Sequence, residues 1–195
     1  MKHLRFDDAL RAAITRNLAL RVAAPLQARG LKRAAVCLIL SDGGAGDAAL
    51  VLTLRAKQLS THSGQFALPG GRVDAGESIV EAALREAREE IGLELAREGI
   101  LGWLDDYPTR SGYVITPIVV WAPNGAAMSA NPAEVAAIYR VPLADLGRPG
   151  SPEFVAIPES DQLFQTRFVE QASKLGQRAT NRAGGRTASN AEQFV

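Results

Sequence analysis

The chain is poor in the features that decide a protein's class at a glance. Its 195 residues hold one cysteine, Cys37, so no internal disulfide can form and a reducing compartment suits it. Charge of one sign is also missing: 22 Lys and Arg face 21 Asp and Glu, a net +1. That balance gives no electrostatic case for nucleic acid or a membrane as the main partner. No uninterrupted apolar run approaches membrane-spanning length, and the start "MKHLRFDDAL" lacks the apolar core of a signal peptide, so a cytoplasmic location is expected. There is no internal repeat. What is there is ordinary: 47% hydrophobic residues with interspersed charges, enough for one globular domain with room for a tail.

Apolar spacing divides the chain. Leu10, Ile14 and Leu18 recur at helical period, predicting a short amphipathic helix over 7–20. "AAVCLILSD" (34–42) and "ALVLTLR" (49–55) read as strands, and the "GGAGD" between them as the loop of a hairpin. "ILGWLDDYP" (100–108) and "YVITPIVVWAP" (113–123) read as two more, with Pro117 marking an edge or a bulge. "EVAAIYRVPLADL" (134–146) reads as a strand and a short helical turn, "FVAIPESDQLF" as a last strand and loop, and 162–175 as a weak helix. From Gly176 onward small and polar residues dominate and disorder is expected. The division is a helical segment at 1–30, a domain at 31–160 and a weakly structured tail at 161–195. Strands mixed with two clear helices predict an α/β layered domain with a mixed sheet.

One stretch is unusual. In "LPGGRVDAGESIVEAALREAREEIGL" (68–93) Glu86, Glu89 and Glu90 crowd together on a predicted helix, where like charges at helical spacing repel. Ser78 with Glu81 forms a capping-box pattern, and Gly92 is a natural stop. On the helical wheel Val80, Leu84, Ala87 and Ile91 share the apolar face, and the three glutamates fall in a sector of about 100° beside it. A solvated acidic face supported by Arg85 and Arg88 is one reading. The other is a divalent-cation site, since hard ions such as Mg²⁺ take a few carboxylates, water and substrate phosphate. The preceding Pro69-Gly70-Gly71 favours the second, because glycine lets the backbone approach a ligand closely.

Gly71, Glu77, Arg85, Glu86, Glu89, Glu90 and Gly92 stand at spacings that resemble the Nudix box in full. The resemblance implies a Nudix-type α/β/α sandwich with a mixed β-sheet. It also implies hydrolysis of a nucleoside diphosphate linked to another group, with Mg²⁺ or Mn²⁺ as cofactor. By carry-over Glu86, Glu89 and Glu90 are the metal carboxylates, joined by the backbone of Gly71 or Gly70. Glu86, Glu90 and Arg85 form the catalytic set, with Glu86 as candidate base and Arg85 orienting a box carboxylate. Glu77 is a supporting acid.

Upstream, "LTLRAKQLSTHSGQFALPGG" (52–71) resembles the signature that precedes the box in coenzyme A pyrophosphatases, and "SGYVITPIVVW" (111–121) is similar to the segment that follows it. Ser60 departs where arginine is usual there, and Leu68 where phenylalanine is usual. The implied reaction cleaves coenzyme A or acyl-CoA to 3′,5′-ADP and (acyl-)4′-phosphopantetheine. Arg55, Gly70, Arg72 and His62 are the candidate substrate-binding residues, with Lys57 and Arg110 as further cations by type and position. Each lone cation also reads as a plain surface charge, and His62 as a structural hydrogen-bonding residue. Cys37 reads as a buried small hydrophobe, Tyr113 as core, rim or adenine-stacking, and Trp103 and Trp121 as core. The alternatives are an ADP-ribose, dinucleotide or nucleotide housecleaning hydrolase, or a nucleotide-sensing module that does not cleave. The partner is a small nucleotide-type molecule in every case, and a homodimer is left open.

Overall fold

The computed structural model describes residues 4–21, 26, 30–57 and 64–147, and the backbone of 154–156 and 163–165. Ser60 and His62 lie outside the described residues, as does nearly all of the expected tail. The chain divides into two compact units, Met1–Ser151 and Pro152–Val195.

In the first unit α1 (Asp8–Ala19) precedes β1 (Lys32–Asp42), β2 (Ala48–Arg55), β3 (Phe66–Ala67) and β4 (Gly70–Arg72). Helix α2 (Ile79–Ile91) follows, then β5 (Ile100–Trp103), β6 (Tyr107–Pro108), β7 (Tyr113–Trp121), β8 (Val135–Pro142) and a single turn, α3 (Leu143–Leu146). One eight-stranded sheet has the path β3-β2-β1-β7-β5. The β1–β7 pair is parallel, and the other pairs in the sheet are antiparallel, with β4 on β1, β6 on β7 and β8 on β2. The sheet is therefore mixed, as the alternation of strands and helices predicts. In the second unit β9 (Phe154–Ala156) pairs antiparallel with β10 (Leu163–Gln165). Residues 163–165 are thus extended, where the sequence suggests part of a weak helix.

The core forms where α2 meets the sheet. Ala35, Cys37 and Ile39 of β1, Val51 of β2, and Ile118 and Val120 of β7 meet Ala82, Ala83, Ala87 and Ile91 of α2, all fully buried. The alanines leave little between helix and sheet, so α2 packs close. Val80 and Leu84 are only half-buried, so the buried stripe lies to one side of the predicted face. The opposite face takes α1: a Cβ at Gly102 would press on Leu18, and Gly102 pairs with Val119, whose neighbours Ile118 and Val120 point toward α2. The sheet is layered between two helices.

Two expectations change. Pro117 sits on an internal strand, opposite Val36 of β1. Its carbonyl accepts from Leu104 at 3.0 Å, and a strand residue's N–H points the same way as its carbonyl. The missing donor therefore faces residues 104–106, the break between β5 and β6 that splits the predicted 100–108 strand. Trp103 pairs with Ile118 at the sheet edge and is 40% exposed, so it is not core, whereas Trp121 is buried and stacks on Phe6 with ring centroids 4.0 Å apart.

Candidate active site

Helix α2 is built to hold its end of the site still. Ser78 caps it by accepting from the Glu81 N–H at 3.2 Å, and Glu81 returns the bond to the Ser78 N–H at 2.9 Å. Gly92 ends it at φ 63°. The glutamates at 86, 89 and 90 occupy its last turn and a half. Opposite them runs β4, whose Gly70 and Gly71 pair with Val36 and Ala35 of β1. Pro69 thus leads into a short strand beneath the helix, and Gly70 and Gly71 lie within it.

Gly70 is sterically required, whereas a side chain at Gly71 would displace Glu86. A Cβ at Gly71 would strike the Glu86 carboxylate, and one at Gly70 would strike the Ala35 carbonyl and Val36 backbone. The Gly70 N–H points at Glu90 Oε2, 3.4 Å away. Glu90 is only 3% exposed, yet among the described residues its nearest cation, Arg55 NH1, stands 3.9 Å from Oε1 without hydrogen bonding. Burial first, then the charge of Glu86, pushes the Glu90 carboxyl up to about 7. Burial also raises Glu86, against the hydrogen bond it accepts from Arg85.

Arg85 is the hub of the remaining acids. Its Nε and NH2 donate to the two oxygens of Glu77 at 2.9 and 3.1 Å, and NH2 also to the Arg72 carbonyl at 3.0 Å. Its NH1 donates to Glu86 Oε1 and Glu89 Oε2, each at 2.9 Å. The hydrogen bonds from Arg85 hold Glu77 below the usual carboxylate range. Among the described residues no three Cys, His, Asp or Glu side chains enclose a point suited to a metal ion. Glu86 and Glu89 are both turned to Arg85, and Glu90 is directed at the Gly70 N–H.

Arg55 lies at a register shift between β2 and β8, its Nε buried without a hydrogen-bond partner. Arg72 does not meet the glutamates: its guanidinium lies over the Tyr113 ring, 5.5 Å from the centroid. Tyr113 is accordingly half-buried rim rather than core. Lys57 stands two residues past the end of β2, and Arg110 lies in the turn before β7. Cys37 is fully buried, donates to the Ala83 carbonyl at 3.3 Å and is pushed up to about 12 by burial, which suits a packing residue rather than a nucleophile.

Sequence reasoning missed Glu134. Its negative charge acts on both Glu86 and Glu90. The loop that carries it is tied to α2 by Ser129 N–H to Ile91 O at 2.8 Å and Asn131 N–H to Glu90 O at 2.9 Å, and to the end of β2 by Ala56 N–H to Glu134 O at 2.8 Å. The only local signal is the Asn131-Pro132 turn dipeptide just before it. The site thus gathers five acids, Glu77, Glu86, Glu89, Glu90 and Glu134, two half-buried arginines, Arg55 and Arg85, and a glycine-built floor.

Comparison with known proteins gives this constellation its context. The NUDIX domain family model matches residues 30–164. The uncharacterized Nudix hydrolase NudL of Photorhabdus laumondii subsp. laumondii is 38% identical over 120 residues, 61% of this chain and 64% of that protein. NudL of Yersinia enterocolitica is 40% identical over 95 residues, 48% of this chain and 49% of that protein. The chain therefore spans about half to just under two thirds of the relatives it matches. A crystal structure of a MutT/nudix family protein from Enterococcus faecalis, 18% identical, superposes with a TM-score of 0.52 over 79% of this chain and 57% of that one, and shares the fold. With the family model covering well over half of its length, the chain belongs to the Nudix family.

Proposed function

We propose that the chain is a Mg²⁺- or Mn²⁺-dependent pyrophosphohydrolase that cleaves the diphosphate of coenzyme A or acyl-CoA, yielding 3′,5′-ADP and (acyl-)4′-phosphopantetheine. The observation that carries the reaction type is the buried Glu90 beside Glu86, directed at the Gly70 N–H and, among the described residues, without a hydrogen-bonded cationic partner. A buried carboxylate is costly unless paired or bound to a metal, and the donors here are the hard oxygens that Mg²⁺ and Mn²⁺ prefer. The glycine floor also leaves open the space beside Glu86 that any side chain would fill. The residues therefore fit a divalent cation, with Glu86, Glu89, Glu90 and the Gly71 backbone as its holders and Glu134 close by.

A bound cation would neutralise bridging phosphate charge and lower the pKa of its water toward neutrality. The chain's own groups do the rest. Glu86 takes the proton from the attacking water. Arg85, anchored on Glu77, orients Glu86 and Glu89. Arg55, with its buried unsatisfied Nε, offers donors to a phosphate oxygen. The stretch over 52–71 supplies the coenzyme A reading.

Leu68 and Ser60 favour a second reading, hydrolysis of ADP-ribose or a dinucleotide. Both are settled by comparing kcat/KM on coenzyme A, ADP-ribose and NADH with Mg²⁺ and with Mn²⁺. We expect coenzyme A to lead, 3′,5′-ADP to appear on chromatography, chelation to abolish turnover, and Glu90→Gln to lose most activity. No 3′,5′-ADP with active controls overturns the substrate; undiminished Glu90→Gln overturns the metal role of Glu90.

A further inference from the structure

Strand β4 has the acids along one edge. The Pro69 carbonyl accepts from the Cys37 N–H at 2.8 Å and the Val73 N–H donates to the Arg33 carbonyl at 3.0 Å, so these groups face β1. Those of Gly70 and Arg72 point the other way, to the outer edge, where the Gly70 N–H meets Glu90 and the Arg72 carbonyl accepts from Arg85. The Arg72 side chain leaves that edge on the face away from α2. A Cβ at Gly71 would meet Glu86, and side chains alternate along a strand. The register agrees. Arg72 pairs with Ala34, Ala34 with Ile115, and Ile115 with Tyr107, each alternate to the Ala35 and Ile118 that face α2. Tyr113, two residues before Ile115, shares this face. The small, buried Ala34 lets the Arg72 stem cross β1, so that its guanidinium lies over the Tyr113 ring, 5.5 Å from the centroid. Tyr113 thus takes one face of the guanidinium. Arg72 is exposed and, among the described residues, has no carboxylate partner.

Resting on the nucleotide-hydrolase reading above, we propose that the Arg72–Tyr113 pair is the subsite for the substrate's nucleoside base. A planar base stacks on a guanidinium as it does on an aromatic ring, and Tyr113 backs this guanidinium from beneath. Arg72 follows Gly71 directly, so a diphosphate at the outer edge of β4 has the acids of α2 on one side and this pair on the other. Coenzyme A, ADP-ribose and NADH each carry an adenine, so the subsite serves either substrate reading. Stacking accepts any base, and the pair therefore supplies affinity for a nucleotide rather than a choice among bases.

The test uses the full-length protein and two probes, AMP and ribose 5-phosphate, which share a phosphate and differ by the base. Saturation-transfer NMR follows their binding without turnover. We expect Tyr113→Leu and Arg72→Gln each to weaken AMP about tenfold more than ribose 5-phosphate, the low end of what one stacked base contributes. Tyr113→Phe keeps the ring and should stay within about twofold of wild type. Tyr107→Leu removes an aromatic on the same face, 48% exposed but not beneath Arg72, and should leave AMP binding as it is. Whichever substrate is cut should show a raised KM in Tyr113→Leu and Arg72→Gln. Unchanged AMP affinity in either variant, equal losses of the two probes, Tyr113→Phe as weak as Tyr113→Leu, or an equal loss in Tyr107→Leu overturns the subsite. So does AMP that wild type does not hold. Should Tyr113→Leu fail to fold, the exposed Arg72→Gln decides alone. If wild type cleaves none of the three substrates while AMP keeps the expected order, the hydrolase reading falls and the subsite stands. Normal turnover with AMP indifferent to both side chains sinks the subsite alone.

Discussion

Gly70 and Gly71 are neighbours with different reasons to be glycine, and the difference is measurable. At Gly70 a Cβ meets backbone, the Ala35 carbonyl and Val36 Cα, which cannot move without breaking the β1–β4 pairing. At Gly71 it meets the end of a side chain, Glu86. Gly70→Ala should therefore lose stability by about 1–3 kcal/mol, the usual cost of overpacking. Gly71→Ala should melt closer to wild type yet lose activity, because Glu86 is pushed from its place. Thermal melts beside turnover separate the two, and equal melting losses would refute the distinction. Glu90 carries a pH signature of its own. Its carboxyl is raised from an ordinary 4.5 to about 7. Between those values the folded chain keeps a proton that the unfolded chain has released, so its stabilising contribution is full below the lower value and is lost as pH rises through the upper one. In the presence of a chelator, wild type should lose on the order of 3 kcal/mol relative to Glu90→Gln between pH 4 and 8. Urea midpoints across that range give the answer, and parallel profiles for the two proteins would count against a buried, under-compensated Glu90.

At the scale of elements, α2 is the part whose end signals work hardest. Ser78 and Glu81 exchange two backbone bonds across the first turn. Ser78→Ala should cost about 1 kcal/mol of stability, visible as a lower melting temperature while the metal affinity of the folded protein is kept; no change in melting would show the cap to be idle. These signals were legible in the sequence because capping, stop glycines and apolar period act within a few residues. So were β1, β2, β7 and β8, whose apolar runs have no competing pattern. The break at 104–106 was not, since nothing local says that Pro117, on a different strand, will face it. Trp103 was misjudged for a related reason: its size favours burial, but its position at the sheet edge leaves it exposed. Within the site, the box carboxylates stood out by their crowding on α2 together with the Pro69-Gly70-Gly71 before it and the family resemblance, and Glu134 did not. It joins them through long-range bonds, Ser129 to Ile91, Asn131 to Glu90 and Ala56 to Glu134. The partner of Arg72 was hidden likewise, because the β1–β4 and β1–β7 registers that bring Tyr113 beneath it depend on the assembled sheet.

At the scale of the whole first unit, the lone cysteine turns the core into a reporter of its own integrity. Cys37 lies at the centre of β1, fully buried under Ala83 of α2, and its thiol is raised to about 12 by burial and by the charge of Glu90. Thiolate is the reactive form, so the folded chain offers almost none near neutral pH. A thiol reagent must wait for α2 to leave the sheet, and in the regime where reclosing is fast the labelling rate follows the population of that open form. The same separation would scatter Glu86, Glu89 and Glu90 away from Gly70 and Gly71. A cation held by these acids binds the closed form and not the open one. Labelling should then slow by roughly 100-fold at a cation concentration 100 times the dissociation constant. The comparison is wild type labelled with and without Mg²⁺ or Mn²⁺, with Glu90→Gln as the variant in which protection should largely vanish. Labelling at the rate of a free thiol would deny that Cys37 is core. Slow labelling that ignores the cation would mean that the acids of α2 do not hold it, and the coupling between site and core would be refuted while the fold stood.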